Sequence, residues 1–389
     1  MSEKSIFSRL RGKRPHPHIV GAWLLCFGWM LLAACRADEP AGLSDTDAAS
    51  LLRIERTDSF ARVDVLDAWN AGKVLQTYVL VPRSRPLPEA LPAGQLLRTP
   101  LRRAVVFSSV HASLLYDLGC QRQILGLCDA AYVRRSEITD DLAAGKLADL
   151  GSSMHPDAER IAAARPDALL VSPFENSGHG PLEPLGVPLV ECADYMERSA
   201  LGRAEWMRFF GLLFGCEERA DSLLRAIRSS YDSLRTAAAD VAERPTLLCD
   251  LKQGSTWYVP GGESYLGRLY ADAGAHYLFA DQTVSGSAAL SPEAVFARAS
   301  QADFWLVKYG AQRDLTYAQL AADDALYRQF GPWQRRRIYG CNTYAVPYYE
   351  EAPFHPDLLL RDLIRIFHPA LLPGHRLRYF TPLQGDEAR

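Results

Sequence analysis

Apolar positions along the chain fall into stretches of clearly different rhythm. An apolar run at residues 19–32 is followed by a polar, Ala/Asp/Ser-rich stretch at 36–59 with no strong period. Residues 61–66 and 74–81 then read as strands, with Asn70-Ala71-Gly72 as the hairpin turn between them. Pro82, Pro86, Pro88 and Pro92 predict an extended connection, because proline fixes its own φ and restricts the residue before it.

From Arg103 a different order begins. Short apolar runs at 104–107, 124–128, 168–171 and 187–191 read as buried strands, with helical segments at 113–118 and 159–164. Apolar strands alternating with helices predict βα units and a parallel sheet. Residues 201–242 contain no proline and few glycines, and Leu223, Ile227, Tyr231 and Leu234 are spaced by four, four and three. That spacing predicts a long amphipathic helix, stopped by Arg244-Pro245. Alternation then resumes: strands at 246–250, 304–307 and 338–339, and helices at 265–273, 294–299 and 358–367. The predicted fold class is α/β, with two Rossmann-like lobes joined by a single long helix and a small N-terminal β extension.

Composition changes the picture mainly at the amino end. Lys4, Arg9, Arg11, Lys13 and Arg14 precede the apolar run, which ends in Leu32-Ala33-Ala34-Cys35. A basic region, a short apolar core and small residues before a cut are the parts of a secretory signal. The run is shorter than the ~20 residues a spanning helix needs. The small-small-Cys ending resembles a lipobox, which makes Cys35 the expected lipidated first residue of a mature, membrane-anchored bacterial lipoprotein on the periplasmic side. The expected divisions are a signal peptide at 1–34, a tether at 35–60, the β extension at 61–102, a first lobe at 103–198, a linker helix region at 199–244 and a second lobe at 245–389. Removing five bases and one acid with the signal takes the formal charge from −3 to −7. An acidic mature chain argues against nucleic acid as a partner.

Six cysteines follow Cys35: Cys120, Cys128, Cys192, Cys216, Cys249 and Cys341. An exported chain permits disulfides, but no CxxC occurs and several thiols sit in apolar runs. Buried small hydrophobes are the favoured reading, and paired zinc ligands are missing.

The two βα blocks share a pattern. Residues 156–171 run from Pro156-Asp157-Ala158-Glu159 through a short helix and a turn to a strand, and Ser291-Pro292-Glu293-Ala294 opens a similar passage into residues 304–307. Together with Val105-Val106-Phe107-Ser108-Ser109, Ile124-Leu125-Gly126-Leu127, Trp257-Tyr258-Val259-Pro260-Gly261-Gly262 and Ala273-Gly274-Ala275, this resembles the substrate-binding lipoproteins of ABC importers for ferric siderophores, haem and cobalamin. The resemblance spans roughly residues 103–382. It implies a ligand held between two lobes, little hinge motion across one strut, and a membrane permease with its ATPase as partner. It also implies that Glu159 and Glu293, one per lobe, dock on permease arginines. Acids near helix starts also simply suit the helix dipole, for ~0.3–1 kcal/mol.

Ligands of open α/β sheets sit beyond the carboxyl ends of the strands. On the first lobe that rule selects Ser109, His111, Tyr132, Arg134, His155, Phe174, Glu175 and Tyr195. On the second it selects Trp257, Tyr258, Tyr309, Asn342 and Tyr348, with Tyr344 and Tyr349 beside them. Aromatic faces with polar tips suit large, partly apolar chelates. His111, His155, His179 and Glu175 are of metal-ligating type but lack a local ligand spacing, so no bare-ion site is expected; His111 is the candidate axial haem ligand. Arg134, Arg135 and Lys308 could pair with anionic groups on a cargo or remain solvated. No nucleophile elbow, P-loop or dinucleotide fingerprint occurs, so catalysis is not expected and no resident cofactor is implied. The expected cargo is an iron chelate, either ferric siderophore or haem, bound by a monomer. Cobalamin is the alternative within the class, and a lipid-anchored tetrapyrrole or metal-chelate enzyme or sensor the alternative outside it.

Overall fold

The computed structural model describes residues 48–385, so the signal and Cys35 lie outside the described residues. Four strands come first: β1 (Leu52–Arg56), β2 (Ala61–Leu66), β3 (Val74–Pro82) and β4 (Gln95–Thr99), paired in that order. The β2–β3 hairpin is antiparallel, as the Asn-Ala-Gly turn predicts. Two features differ from expectation. β1 falls inside the stretch read as tether, with Leu52 and Ile54 facing the core and their neighbours facing out. β4 pairs parallel to β3 across the proline-rich connection.

The first lobe comprises β5 (Ala104–Val106), α1 (Ser109–Asp117), β6 (Ile124–Leu127), α2 (Ser136–Ala143), β7 (Ala148–Asp149), α3 (Ala158–Ala164), β8 (Ala168–Val171) and β9 (Leu189–Glu191). Its sheet is parallel throughout, in the order β7-β6-β5-β8-β9. Every residue of β5 and β8 is buried, as covering both faces of a parallel sheet requires.

The linker region is three helices rather than one: α4 (Ala200–Glu205), α5 (Met207–Phe214) and α6 (Glu217–Ala239). Gly215, at φ +70°, ends α5 in the left-handed conformation that glycine adopts without a Cβ penalty, and the chain restarts into α6. α6 is the strut. Its Ala220, Leu224 and Ile227 lie in the first lobe's core, while Tyr231, Leu234 and Ala238 lie in the second's. The buried stripe thus runs through Leu224, with Leu223 only partly covered. Tyr231 also donates to Asp272 Oδ2 at 2.6 Å.

The second lobe holds β10 (Thr246–Cys249), β11 (Lys252–Gln253), β12 (Thr256–Pro260), α7 (Tyr265–Asp272), β13 (His276–Tyr277), β14 (Ser287–Leu290), α8 (Pro292–Ala299), β15 (Phe304–Tyr309), α9 (Tyr317–Asp323), α10 (Gly331–Gln334), β16 (Ile338–Asn342), α11 (Tyr348–Glu351), α12 (Pro356–Phe367) and β17 (Thr381–Pro382). Its main sheet is ordered β13-β10-β15-β16-β17, parallel except at β17, and β11-β12-β14 form a small antiparallel sheet. Among the described residues no helix is long and apolar enough to cross a membrane.

Three devices lock the lobes and the amino end together. Phe354, which follows α11, is buried in the first lobe's core and meets Phe210 edge-on at 6.0 Å. Glu350 accepts from the backbone N–H of Arg134 at 2.9 Å and of Arg135 at 3.3 Å, and His355 pairs with Asp117 at 2.9 Å. At the amino end two buried carboxylates hold four successive backbone amides. Glu205 accepts from Ala48 and Ala49, both at 2.7 Å, and Glu197 accepts from Ser50 and Leu51 at 2.9–3.0 Å. The stretch from Ala48 on is therefore part of the folded body, not tether.

Candidate functional site

In the first lobe β5 is central and its neighbours β6 and β8 leave on opposite sides, so the loops beyond their carboxyl ends diverge and open a crevice. A cavity of about 510 Å³ occupies that crevice. It is lined after β5 by Phe107, Ser108 and Ser109, after β6 by Asp129 and Tyr132, after β7 by Ser153 and Met154, and after β8 by Ser172 and Phe174; the segment from Ser177 to Leu182 closes the far side. Ser108 caps α1 by accepting from Val110 N–H at 3.3 Å. Asp129 takes a left-handed φ of 58° and accepts from Ser153 through both backbone and hydroxyl, which ties the loop after β7 to the loop after β6.

The rim is apolar and open: Tyr132 is 65% exposed, Met154 69% and Phe174 53%. Such exposure of large apolar groups around one cavity is the usual mark of a ligand surface. His179 lines the opposite wall, with Nε2 2.8 Å from Glu191 Oε1. That hydrogen bond holds the imidazole above its ordinary pKa against the opposing effect of burial.

The structure sorts the sequence-selected residues. Ser109, Tyr132 and Phe174 line the cavity. His155 and Glu175 are exposed in the loops nearby but do not line it. Tyr195 is half-buried and donates to the Pro173 carbonyl, which braces the Phe174 turn. Arg134 donates to the carbonyls of Ala131 and Val133, and its guanidinium lies 4.9 Å from the centre of the Tyr344 ring. The second lobe therefore meets the first next to Tyr132.

Four assignments are corrected. His111 is a core residue: it is 2% exposed, its Nε2 donates to Asp194 Oδ1 at 2.7 Å, and its ring packs on Phe210 at 5.2 Å. It is not placed to ligate a haem. Burial pushes the Asp194 carboxyl up, but His111 and Arg203 outweigh it and hold it below the ordinary carboxylate range. Trp257 is fully buried against Trp305, Tyr327 and Phe330, with Nε1 donating to the Cys249 carbonyl at 3.0 Å. Tyr348 is buried against Tyr379 and Phe380. Asn342 is buried and spends its amide on Ala311, Asp314 and Tyr344, fixing two loops.

Of the other second-lobe choices, Tyr309 accepts from Leu315 N–H at 2.9 Å, while Tyr258, Tyr344 and Tyr349 are exposed. None of these lines the cavity. Lys308 is paired with Asp250 at 2.6 Å and Arg135 with Asp117 at 2.7 Å. His111 and His179 are each bound to a carboxylate elsewhere, and among the described residues no three His, Cys, Asp or Glu side chains are grouped to hold a metal ion. Sequence reasoning missed Asp129, Ser153 and Met154. Asp129, two residues beyond β6, lies in the same strand-end loop from which the rule selected Tyr132.

Glu159 and Glu293 occupy equivalent places. Asp157 caps α3 by accepting from Arg160 N–H at 3.0 Å, and Ser291 caps α8 by accepting from Ala294 N–H at 3.2 Å. Each glutamate is then the second residue of its helix and exposed.

The sequence profile of the periplasmic binding protein family matches residues 104–344, which takes in the first lobe, the strut and the second lobe as far as β16. The chain belongs to that family. An uncharacterised lipoprotein of Methanocaldococcus jannaschii is 25% identical over 297 residues, covering 74% of this chain and 70% of that protein. A second lipoprotein of the same archaeon is 22% identical over 325 residues, covering 81% and 82%. Among solved structures, the haem-binding protein RhuT of Roseiflexus sp. RS-1, in apo form, superposes with a TM-score of 0.54 at 21% identity, over 69% of this chain and 99% of that one. The molybdate-binding protein MolA of Haemophilus influenzae gives 0.56 at 17% identity, over 72% and 90%. Both share the family's two-lobe fold. The β extension, residues 52–99, lies before the matched region.

Proposed function

We propose that this protein is the lipid-anchored, extracytoplasmic substrate-binding component of an ABC importer, and that its cargo is an iron chelate. The observation that carries the reading is the cavity at the carboxyl edge of the first lobe's sheet, with its open rim of Tyr132, Met154 and Phe174. Its lining contains no arginine or lysine, and its ionisable members, Asp129 and His179, are already engaged by Ser153 and Glu191. A carboxylate-rich ligand would find no unpaired cation there to replace its hydration, since Glu191 already neutralises the His179 imidazolium, and that loss is costly. That favours a neutral chelate, such as a ferric hydroxamate, over haem with its two propionates; cobalamin fits the same argument.

Delivery proceeds by docking. Two exposed carboxylates at matched positions on two lobes would set the orientation on a permease coupled to its ATPase, and charge complementarity would speed encounter. Cys35 would carry the lipid, a reading supported by the lipoprotein relatives. The test is a panel of ferric hydroxamates, ferric catecholates, haem, cobalamin, molybdate and free Fe, Zn and Mn ions, read by calorimetry and thermal shift. A ligand at a hundred times its Kd stabilises by about 2.7 kcal/mol, a shift of a few degrees. Binding of a neutral ferric chelate that is recovered intact supports the proposal. Binding of bare ions alone, or release of a chemically altered chelate, refutes it.

A further inference from the structure

Two of the six cysteines stand apart from the others. Cys128, Cys192, Cys249 and Cys341 are buried singly in apolar surroundings, and burial pushes their thiols upward. Cys120 and Cys216 lie 96 residues apart in sequence, yet their sulfurs approach to 3.0 Å. Both backbones are held by helix ends. Cys120 N–H donates to Leu115 O at 2.8 Å where α1 finishes, and Cys216 N–H donates to Gly211 O at 2.9 Å just before α6 begins. Neither position depends on a flexible loop.

We propose that Cys120 and Cys216 form a disulfide in the exported protein, one that staples the α1 end of the first lobe to the head of the strut. This rests on the extracytoplasmic location proposed above, since an oxidising compartment is what sustains such bonds. The chemistry is exchange with a dithiol–disulfide oxidoreductase in its oxidised form. Cys216 is the member an oxidant can reach, although the hydrogen bond with Cys120 and burial push its thiol up; once deprotonated it attacks the oxidant's disulfide and forms a mixed disulfide, releasing one oxidant thiolate. Cys120 then attacks Cys216 Sγ and displaces the second. Two electrons pass to the oxidant, and the two thiol protons leave the pair with them, so the oxidant ends as a dithiol. In the dithiol the hydrogen bond with Cys216 and the charge of Arg219 hold the Cys120 thiol below its ordinary value against burial, and the Arg219 charge still favours the Cys120 thiolate once Cys216 has entered the mixed disulfide. Arg219 is fixed there by donating from Nε to the Asp117 carbonyl at 2.6 Å.

The bond would close a loop of roughly a hundred residues, the regime in which a crosslink most restricts the unfolded chain. The test uses the processed protein recovered from the extracytoplasmic fraction without reductant, denatured, alkylated and mapped by mass spectrometry. The expected result is a linked Cys120–Cys216 peptide, with four of the six cysteines alkylated before reduction and all six after it. Reduction should lower the thermal midpoint by about 5–10 °C. Cys216→Ser should match the reduced protein and ignore reductant. Six alkylated cysteines without reduction overturn the proposal, and that map decides the matter even if the variant folds poorly. The ligand panel is unaffected by this outcome, so the two proposals fail separately.

Discussion

Glu197 is the most informative single residue for the stability of this protein. Its side chain is nearly inaccessible, and among the described residues no cation is paired with it. Instead Oε1 accepts from Leu51 N–H, Ser50 N–H and Trp206 Nε1–H at 2.9–3.0 Å, and Oε2 accepts from the Ser50 hydroxyl at 2.7 Å. In Glu197→Ala the Trp206 indole N–H is left buried without an acceptor, and two backbone amides lose theirs. An unmet buried donor costs roughly 1–3 kcal/mol, so with partial hydration of the outer pair the loss is about 3–5 kcal/mol. Glu197→Gln behaves differently. Its carbonyl can stay at Oε1 and serve Leu51 and Trp206, while its NH₂ faces a Ser50 hydroxyl free to rotate and accept. What remains lost is charge assistance and one amide contact, about 1–2 kcal/mol. Urea unfolding followed by tryptophan emission measures both variants, and limited proteolysis reports release of the segment from Ala48. The order Ala well below Gln below wild type is expected. Equal losses for the two variants, or a loss under about 1 kcal/mol for the alanine, would refute the reasoning.

Other expectations concern the site and its uses. Tyr132→Ala and Phe174→Ala should each weaken cargo binding about tenfold or more, ~1.4 kcal/mol, by isothermal calorimetry. Trp257→Phe should leave affinity unchanged while costing about 2–3 kcal/mol of stability, because the Cys249 carbonyl loses its donor and a void opens among Trp305, Tyr327 and Phe330. Glu159→Ala with Glu293→Ala should abolish uptake in cells and leave the Kd as it was; normal uptake by the double variant would remove the docking role. Since Glu191 raises the His179 pKa, the pair's contribution is complete below about pH 6.5 and fades as pH climbs through the raised value. The stability advantage of wild type over His179→Gln, read from thermal midpoints, should therefore shrink as pH rises above about 6.5. A constant difference would count against the pairing.

How far the chain could be read before its structure was known depended on which force sets each element. β5, β8, β10 and β15 are buried on both faces, so they appear in sequence as unbroken apolar runs and were legible. The strut was legible because one stripe of α6 serves two cores in turn. β1 was not, since only Leu52 and Ile54 face inward and three polar or charged residues conceal a five-residue strand. β4 owes its place to a parallel pairing that no local turn specifies. The strand-end rule selected Ser109, Tyr132 and Phe174, which line the cavity, but misplaced Trp257, which is core. Strand alternation held the answer there: Trp257 and Val259 point in and Tyr258 points out. His111 is covered in part by Phe354 from across the lobes, and Tyr348 by Tyr379 and Phe380 from further along the chain, contacts that a linear reading does not contain.

That packing has a consequence for how the chain comes into being. Phe354 fills the core of a lobe whose other residues were synthesised long before it, and the α11 segment lies against α1. The first lobe cannot complete its interior until the segment carrying Phe354 has left the ribosome. A lobe built this way stays unfinished, and so able to thread a narrow pore in extended form, until α11 and Phe354 arrive to fill it.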